Sequence, residues 1–240
     1  MNKYLIFLSL SLALLTGASV QAANMADAER NITQAVKRIL PDETITRIST
    51  TPIENLYEVV LGPNVIYMSD DGRYVLKGDL LDMQERANLS ENERVAARKE
   101  IFSQLSTDEY IEFSPKNPKH TLYVFTDVDC AYCRRLHKDV PYLNENQIAI
   151  RYLAYPRGGL GSAAFEKMQA VWCSKDRKQA LTEAKSGQVI QGKKCKNYVA
   201  SDYELGQRLG IRGTPAIYTD QGKELSGYLP PDELLKIVNK

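Results

Sequence analysis

"TLYVFTDVDCAYCRRLH", residues 121–137, runs from a continuous apolar stretch straight into two cysteines two residues apart, with a basic cluster behind them. The apolar stretch reads as a strand buried on both faces of a sheet. Behind the cysteines, "RRLHKDVPYLNEN" reads as a helix with a kink at Pro141. Cys130 and Cys133 thus stand where a strand hands over to a helix. At i and i+3 in a first turn they share one face, close enough to close a small disulfide or hold a metal ion.

Structural zinc normally needs four ligands. The other two cysteines, Cys173 and Cys195, lie 22 positions apart, and the only two histidines, His120 and His137, have no ligand spacing with them. No metal is expected. A reactive dithiol fits the position better than a structural staple, because the free N–H groups and macrodipole of a helix start favour a thiolate. Cys130, nearest that end, is expected to attack a disulfide, and Cys133 to resolve the mixed disulfide. Arg134, Arg135 and His137 are expected to add positive potential, and Asp129 to work against it, since a carboxylate beside a thiolate disfavours the charged form. Asp127 reads as a buried proton acceptor or simply as the end of the strand.

Beyond the pair, "IAIRYLAYP" reads as a second strand, followed by a Gly-rich loop at 157–161, helical stretches across 162–186 and a helix near 199–209. "GTPAIYTDQGKELSGY" supplies two short strands around the Asp220-Gln221-Gly222 turn, and a helix starts after Pro230-Pro231. Upstream, Ile32, Val36, Ile39 and Leu40 recur at helical spacing over 26–40, ahead of four short strands, the last two joined at Asp70-Asp71-Gly72. Ser90 and Glu93 form a capping box for a charged helix through about Leu105, which reads as a connector. Pro115 and Pro118 mark the boundary before the apolar strand.

Near its start the chain of 240 residues carries a basic Lys3, an apolar run from Leu5 to Leu15 and the small-residue pattern Val20-Gln21-Ala22, the expected signature of a secretory signal peptide over 1–22. The run is about half of the roughly 20 residues needed to span a bilayer. Removing it takes away Lys3 and leaves 30 basic (31 − 1) against 30 acidic side chains, so there is no broad field for nucleic acid. Export puts the cysteines in an oxidising compartment.

"FTDVDCAYC", the helix after it, Cys173 with Cys195, and "GTPAIY" together resemble the thioredoxin-fold domain of the DsbC/DsbG family of periplasmic disulfide isomerases. The layout resembles it too, over nearly the whole chain. The resemblance implies an α/β architecture: a small α+β, cystatin-like dimerisation domain over 23–86, a linker helix over 87–107, and a thioredoxin-like catalytic domain with a helical insertion over 108–240. It implies that Pro215 is the cis-proline facing the dithiol. Thr214, Pro215 and Tyr132 would bind substrate, an extended peptide pairing as an added strand. It assigns Cys173–Cys195 as a structural disulfide, worth roughly 3 kcal/mol for a loop of that size.

It further implies a homodimer in the periplasm, consistent with the limited burial open to a domain of about 60 residues. Misfolded disulfide-containing proteins would be the substrates, a membrane protein of the DsbD type the electron donor, and no cofactor would be needed. The implied activity is isomerisation and reduction of wrong disulfides, with chaperone activity. The alternatives are a DsbG-like reductase of sulfenylated cysteines and a holdase with minor redox activity. The chain departs from the family pattern at Ala131, where the isomerase type has Gly and the DsbG type Pro, and at Asp129, where DsbC has Thr. Asp127 and Asp129 are accordingly the residues expected to tune the thiolate pKa.

Overall fold

In this computed structural model, residues 10–192, 195–225 and 227–239 are described, with side chains from residue 24 onward. The chain divides into two compact units, 1–91 and 92–240. The first nine residues of the expected signal peptide lie outside the described ones. From Leu10 the backbone is helical and continuous with α1 (Leu10–Ile39), which therefore starts well before the expected residue 26. No helix among the described residues is long and apolar enough to cross a membrane.

In the first unit, β1 (Ile45–Thr50), β2 (Leu56–Leu61), β3 (Asn64–Ser69) and β4 (Val75–Leu76) form an antiparallel sheet in that order. Ala28, Ile32, Ala35 and Val36, one stripe of α1, are buried with Tyr57, Val59, Leu61 and Met68 of the sheet. The turn into β4 needs Gly72: its φ is +69°, and a Cβ there would lie 2.9 Å from the backbone oxygen of Asn31. A small ladder of β5 (Leu81–Asp82) and β6 (Ala87–Asn88) precedes α2 (Leu89–Ser103).

The cap of α2 differs from the expected Ser90/Glu93 box. Asn88 is the capping residue, its Oδ1 accepting the Glu91 N–H at 2.9 Å. The Ser90 hydroxyl is fully buried and occupied elsewhere, accepting the Leu80 N–H at 2.7 Å and bonding the Tyr67 hydroxyl at 2.6 Å. From Asn92 onward the helix belongs to the second unit. There Phe102 stacks on Tyr123 with ring centroids 4.6 Å apart, and Arg98 donates to the Gly222 carbonyl at 2.8 Å.

The second unit is built on a five-stranded sheet, β11-β10-β8-β9-β7. Its elements are β7 (Ile111–Phe113), β8 (His120–Thr126), α3 (Ala131–Glu145), β9 (Ile148–Ala154), α4 (Ala163–Trp172), α5 (Arg177–Lys185), α6 (Val199–Arg208), β10 (Ala216–Thr219), β11 (Glu224–Leu225) and α7 (Pro231–Val238). β8 and β9 are parallel and the remaining pairs antiparallel. β7 was not expected: three residues ahead of a proline-rich stretch carry too little periodicity to read.

Alternate residues of β8 serve opposite faces, as the pleat requires. Leu122 and Val124 join a core with Leu136, Val140 and Leu143 of α3 and Leu181 of α5, while Tyr123 and Phe125 join one with Phe102 and Leu205. Both faces of the central strand are thus covered, as its apolar run implies. Helices α4, α5 and α6 form the insertion between β9 and β10. Pro141 lies inside α3, where the turn before it receives no N–H.

Candidate active site

Strand directions bring the site together. β8 ends at Thr126 and leads through Asp127 and Asp129 to Cys130, which caps α3. β10 runs antiparallel to β8 with Ala216 opposite Phe125, so Thr214 and Pro215 arrive at the same end of the sheet. β9 runs parallel to β8 with Ala154 opposite Thr126, so Arg157 emerges at that end as well. This is the carboxyl edge of the parallel strands, where α/β sheets carry their sites.

Cys130 Sγ lies 3.1 Å from the Thr214 carbonyl, to which its thiol form donates, although 84 residues separate them. The Thr214–Pro215 peptide bond is cis. Cys130 keeps 3% of its surface exposed and Cys133 none. The two thiols are free. The hydrogen bond from the Cys133 thiol, the Cys133 backbone N–H and the charge of Arg157 all favour the Cys130 thiolate against the penalty of burial, and its pKa falls to about 5. Cys133 moves the other way: burial, and the hydrogen bond it gives Cys130, hold it protonated well above the ordinary thiol range.

Asp127 is 2% exposed and fully engaged. Its Oδ1 accepts the Asp129 N–H at 2.7 Å, and its Oδ2 accepts the backbone N–H and Nε of Arg157 at 2.9 and 3.1 Å. Asp129 points to the flank, where Lys167 Nζ contacts both its oxygens at 2.9 and 3.0 Å and Arg134 approaches to 3.4 Å. The negative charge beside Cys130 is therefore shared with two cations. His137 does not add the expected positive potential, because burial and the charge of Lys185 lower its pKa to about 4 and leave the ring neutral at physiological pH.

Tyr132 is exposed and stacks on Tyr228, ring centroids 6.1 Å apart. Together with Arg212, Thr214, Pro215 and Tyr228 it lines a groove of about 600 Å³. The dithiol, Thr214, Pro215 and Asp127 thus converge, with Tyr132 and Asp129 on the rim. Cys173 and Cys195 are bonded to each other in the helical insertion. Among the described residues, no group of three or more His, Cys, Asp or Glu side chains is arranged to hold a metal.

Sequence reading missed Arg157 and Lys185. Arg157 was findable by topology, since it comes after the strand paired in parallel with the cysteine strand. Lys185 was findable by spacing: it falls on the face of α5 that carries Leu181 and Ala184, and it is 4% exposed. Its ammonium donates to Thr126 Oγ1 at 2.7 Å, beneath the dithiol, and burial lowers its pKa to about 8.

Residues 107–240 match the model of the thioredoxin-like domain family, and residues 20–91 match the N-terminal domain of disulfide bond isomerase proteins. The thiol:disulfide interchange protein DsbC of Haemophilus influenzae is 36% identical over 92% of this chain and 94% of its own length. The protein of the same name from Escherichia coli is 33% identical over 80% of each chain. A crystal structure of a disulfide interchange protein from Neisseria gonorrhoeae superposes with a TM-score of 0.51 at 31% identity, covering 56% of this chain and 96% of that one. A dithiol on a helix start can exchange disulfides, and with relatives this similar along nearly its whole length the chain belongs to the DsbC family of thiol:disulfide interchange proteins, a thiol-disulfide oxidoreductase.

Proposed function

We propose that the protein is a periplasmic disulfide isomerase and reductase, with Cys130 as nucleophile and Cys133 as resolving thiol. The observation that carries this is the opposed ionisation of the pair: a thiolate-favouring Cys130 placed 3.1 Å from the carbonyl of the groove residue Thr214, and a protonated Cys133 with no exposed surface. Only a thiolate opens a wrong disulfide, so the pair must be held reduced, and a membrane electron donor of the DsbD type would supply the electrons. Tyr132, Thr214 and Pro215 would hold an extended substrate segment in the groove they line. Asp127 and Asp129, both tied to cations, would tune the thiolate through Arg157, Arg134 and Lys167. Cys173–Cys195 would brace the insertion.

The first unit would form the homodimer. Tyr74, Val75, Leu76 and Leu81 are large apolar side chains left exposed there, and the edge strand β4 offers unpaired backbone groups. Exposed apolar surface would also serve chaperone activity. Regain of activity by a scrambled multi-disulfide enzyme tests the reading. Catalysis should require Cys130, and equal rates with Cys130→Ser would overturn it. Aggregation suppression that persists in a variant lacking both Cys130 and Cys133 would place the holding function apart from the chemistry.

A further inference from the structure

We propose that Lys185 is a positioning residue for the resolving step: acting through the Thr126 hydroxyl, it stabilises the Cys133 thiolate that attacks the mixed disulfide. This deepens the proposed function and rests on it, since it presupposes that Cys133 resolves.

The geometry gives the direction. Lys185 Nζ donates to Thr126 Oγ1 at 2.7 Å in a fully buried setting. With that lone pair occupied, the Thr126 hydroxyl hydrogen is free to turn to Cys133, the sense in which Thr126 favours the thiolate. A buried ammonium carries a large desolvation cost and is retained where it meets charge. Apart from Thr126 and the Tyr152 ring 5.3 Å away, the groups whose charge favours this ammonium are the sulfurs and Asp127. A hydrocarbon side chain would fill the same space at lower cost.

The step balances. Cys133 gives up its thiol proton, and its sulfur forms a bond to Cys130 Sγ. The bond between Cys130 and the substrate sulfur breaks, and the departing substrate thiolate takes up a proton. Cys130 and Cys133 are oxidised to a disulfide and the substrate is reduced. The position that demands help is Cys133, because burial opposes its ionisation. The groups that bear on Lys185 and on this ionisation are Cys133, Arg134 and His137 from α3, Asp127 and Cys130 from the loop after β8, Tyr152 from β9, and Arg157 beyond β9. Arg134 is tied to the Val128 carbonyl and Asp129 on the flank, and Arg157 to Asp127.

The test uses the full-length reduced protein and 5,5′-dithiobis(2-nitrobenzoate). Attack by Cys130 releases one coloured thiolate and attack by Cys133 releases a second, so the two steps appear as separate phases. Lys185→Met, which keeps the volume, should slow the second phase about tenfold and move its pH profile to higher pH, with a much smaller effect on the first. Thr126→Val should do the same, Thr126→Ser should restore the rate, and the double variant should be no slower than either single one. Should Lys185→Met fold poorly, Lys185→Gln and the Thr126 pair carry the test. A second phase unchanged in rate and pH profile in these variants overturns the proposal. A first phase that is absent in the wild-type protein overturns the functional reading instead.

Discussion

At the scale of residues, the site splits two chemically identical thiols. Cys130 sits at a helix start within reach of a cation, and Cys133 is buried behind it and gives it a hydrogen bond. The rate of alkylation of Cys130 by iodoacetamide should therefore titrate with a midpoint of about 5 rather than near 9.0, read by mass spectrometry of the reduced protein. Arg157→Met should raise that midpoint, and a midpoint near 9 in the wild-type protein would contradict the assignment. Linkage has the same sign. Between the two values the unfolded chain holds a proton that the folded Cys130 does not, so this group adds stability to the reduced protein as pH rises through that window and loses it as pH falls through about 5. The motif and its position point to Cys130 and Cys133, and the resemblance to Pro215; the fold places Cys130 against the Thr214 carbonyl. Arg157, Lys185 and Thr126 were not legible in the same way, because they meet the dithiol only through strand register and the packing of α5.

At the scale of elements, the strand at 121–126 and the helix after the cysteines are readable because a continuous apolar run and a capped turn are strong local signals. The edge strand β7 is not, and neither is the choice of Asn88 over Ser90 as cap, since Tyr67 and the Leu80 N–H claim the serine from outside the helix. The junction of α2 with the β10–β11 turn is equally invisible in sequence. Gly222 has φ +82°, and a Cβ there would lie 2.1 Å from the Val95 carbonyl oxygen. Gly222→Ala should therefore cost more than ~1 kcal/mol, seen as a lowered denaturant midpoint. Replacing Cys173 and Cys195 by serine should cost roughly 3 kcal/mol, measured under conditions that leave Cys130 and Cys133 reduced. A loss confined to a few tenths of a kcal/mol would deny the bridge its bracing role.

At the scale of the molecule, the two units differ in what they leave uncovered. The second buries both faces of its central strand, whereas the first leaves Tyr74, Val75 and Leu76 exposed at and beside its edge strand. Leu76→Asp should convert a dimer to a monomer in sedimentation while the two-phase reaction with a small aromatic disulfide continues. Unchanged mass would remove that edge from the interface. The central claim, that Cys130 attacks and Cys133 resolves, is tested most directly by the Cys133→Ser protein mixed with an oxidised multi-disulfide substrate. Quenched with acid and digested without reductant, it should yield a mixed disulfide mapped by mass spectrometry to Cys130, absent in the Cys130→Ser protein. Mapping of the trapped substrate to any other cysteine, or equal trapping without Cys130, would contradict the account.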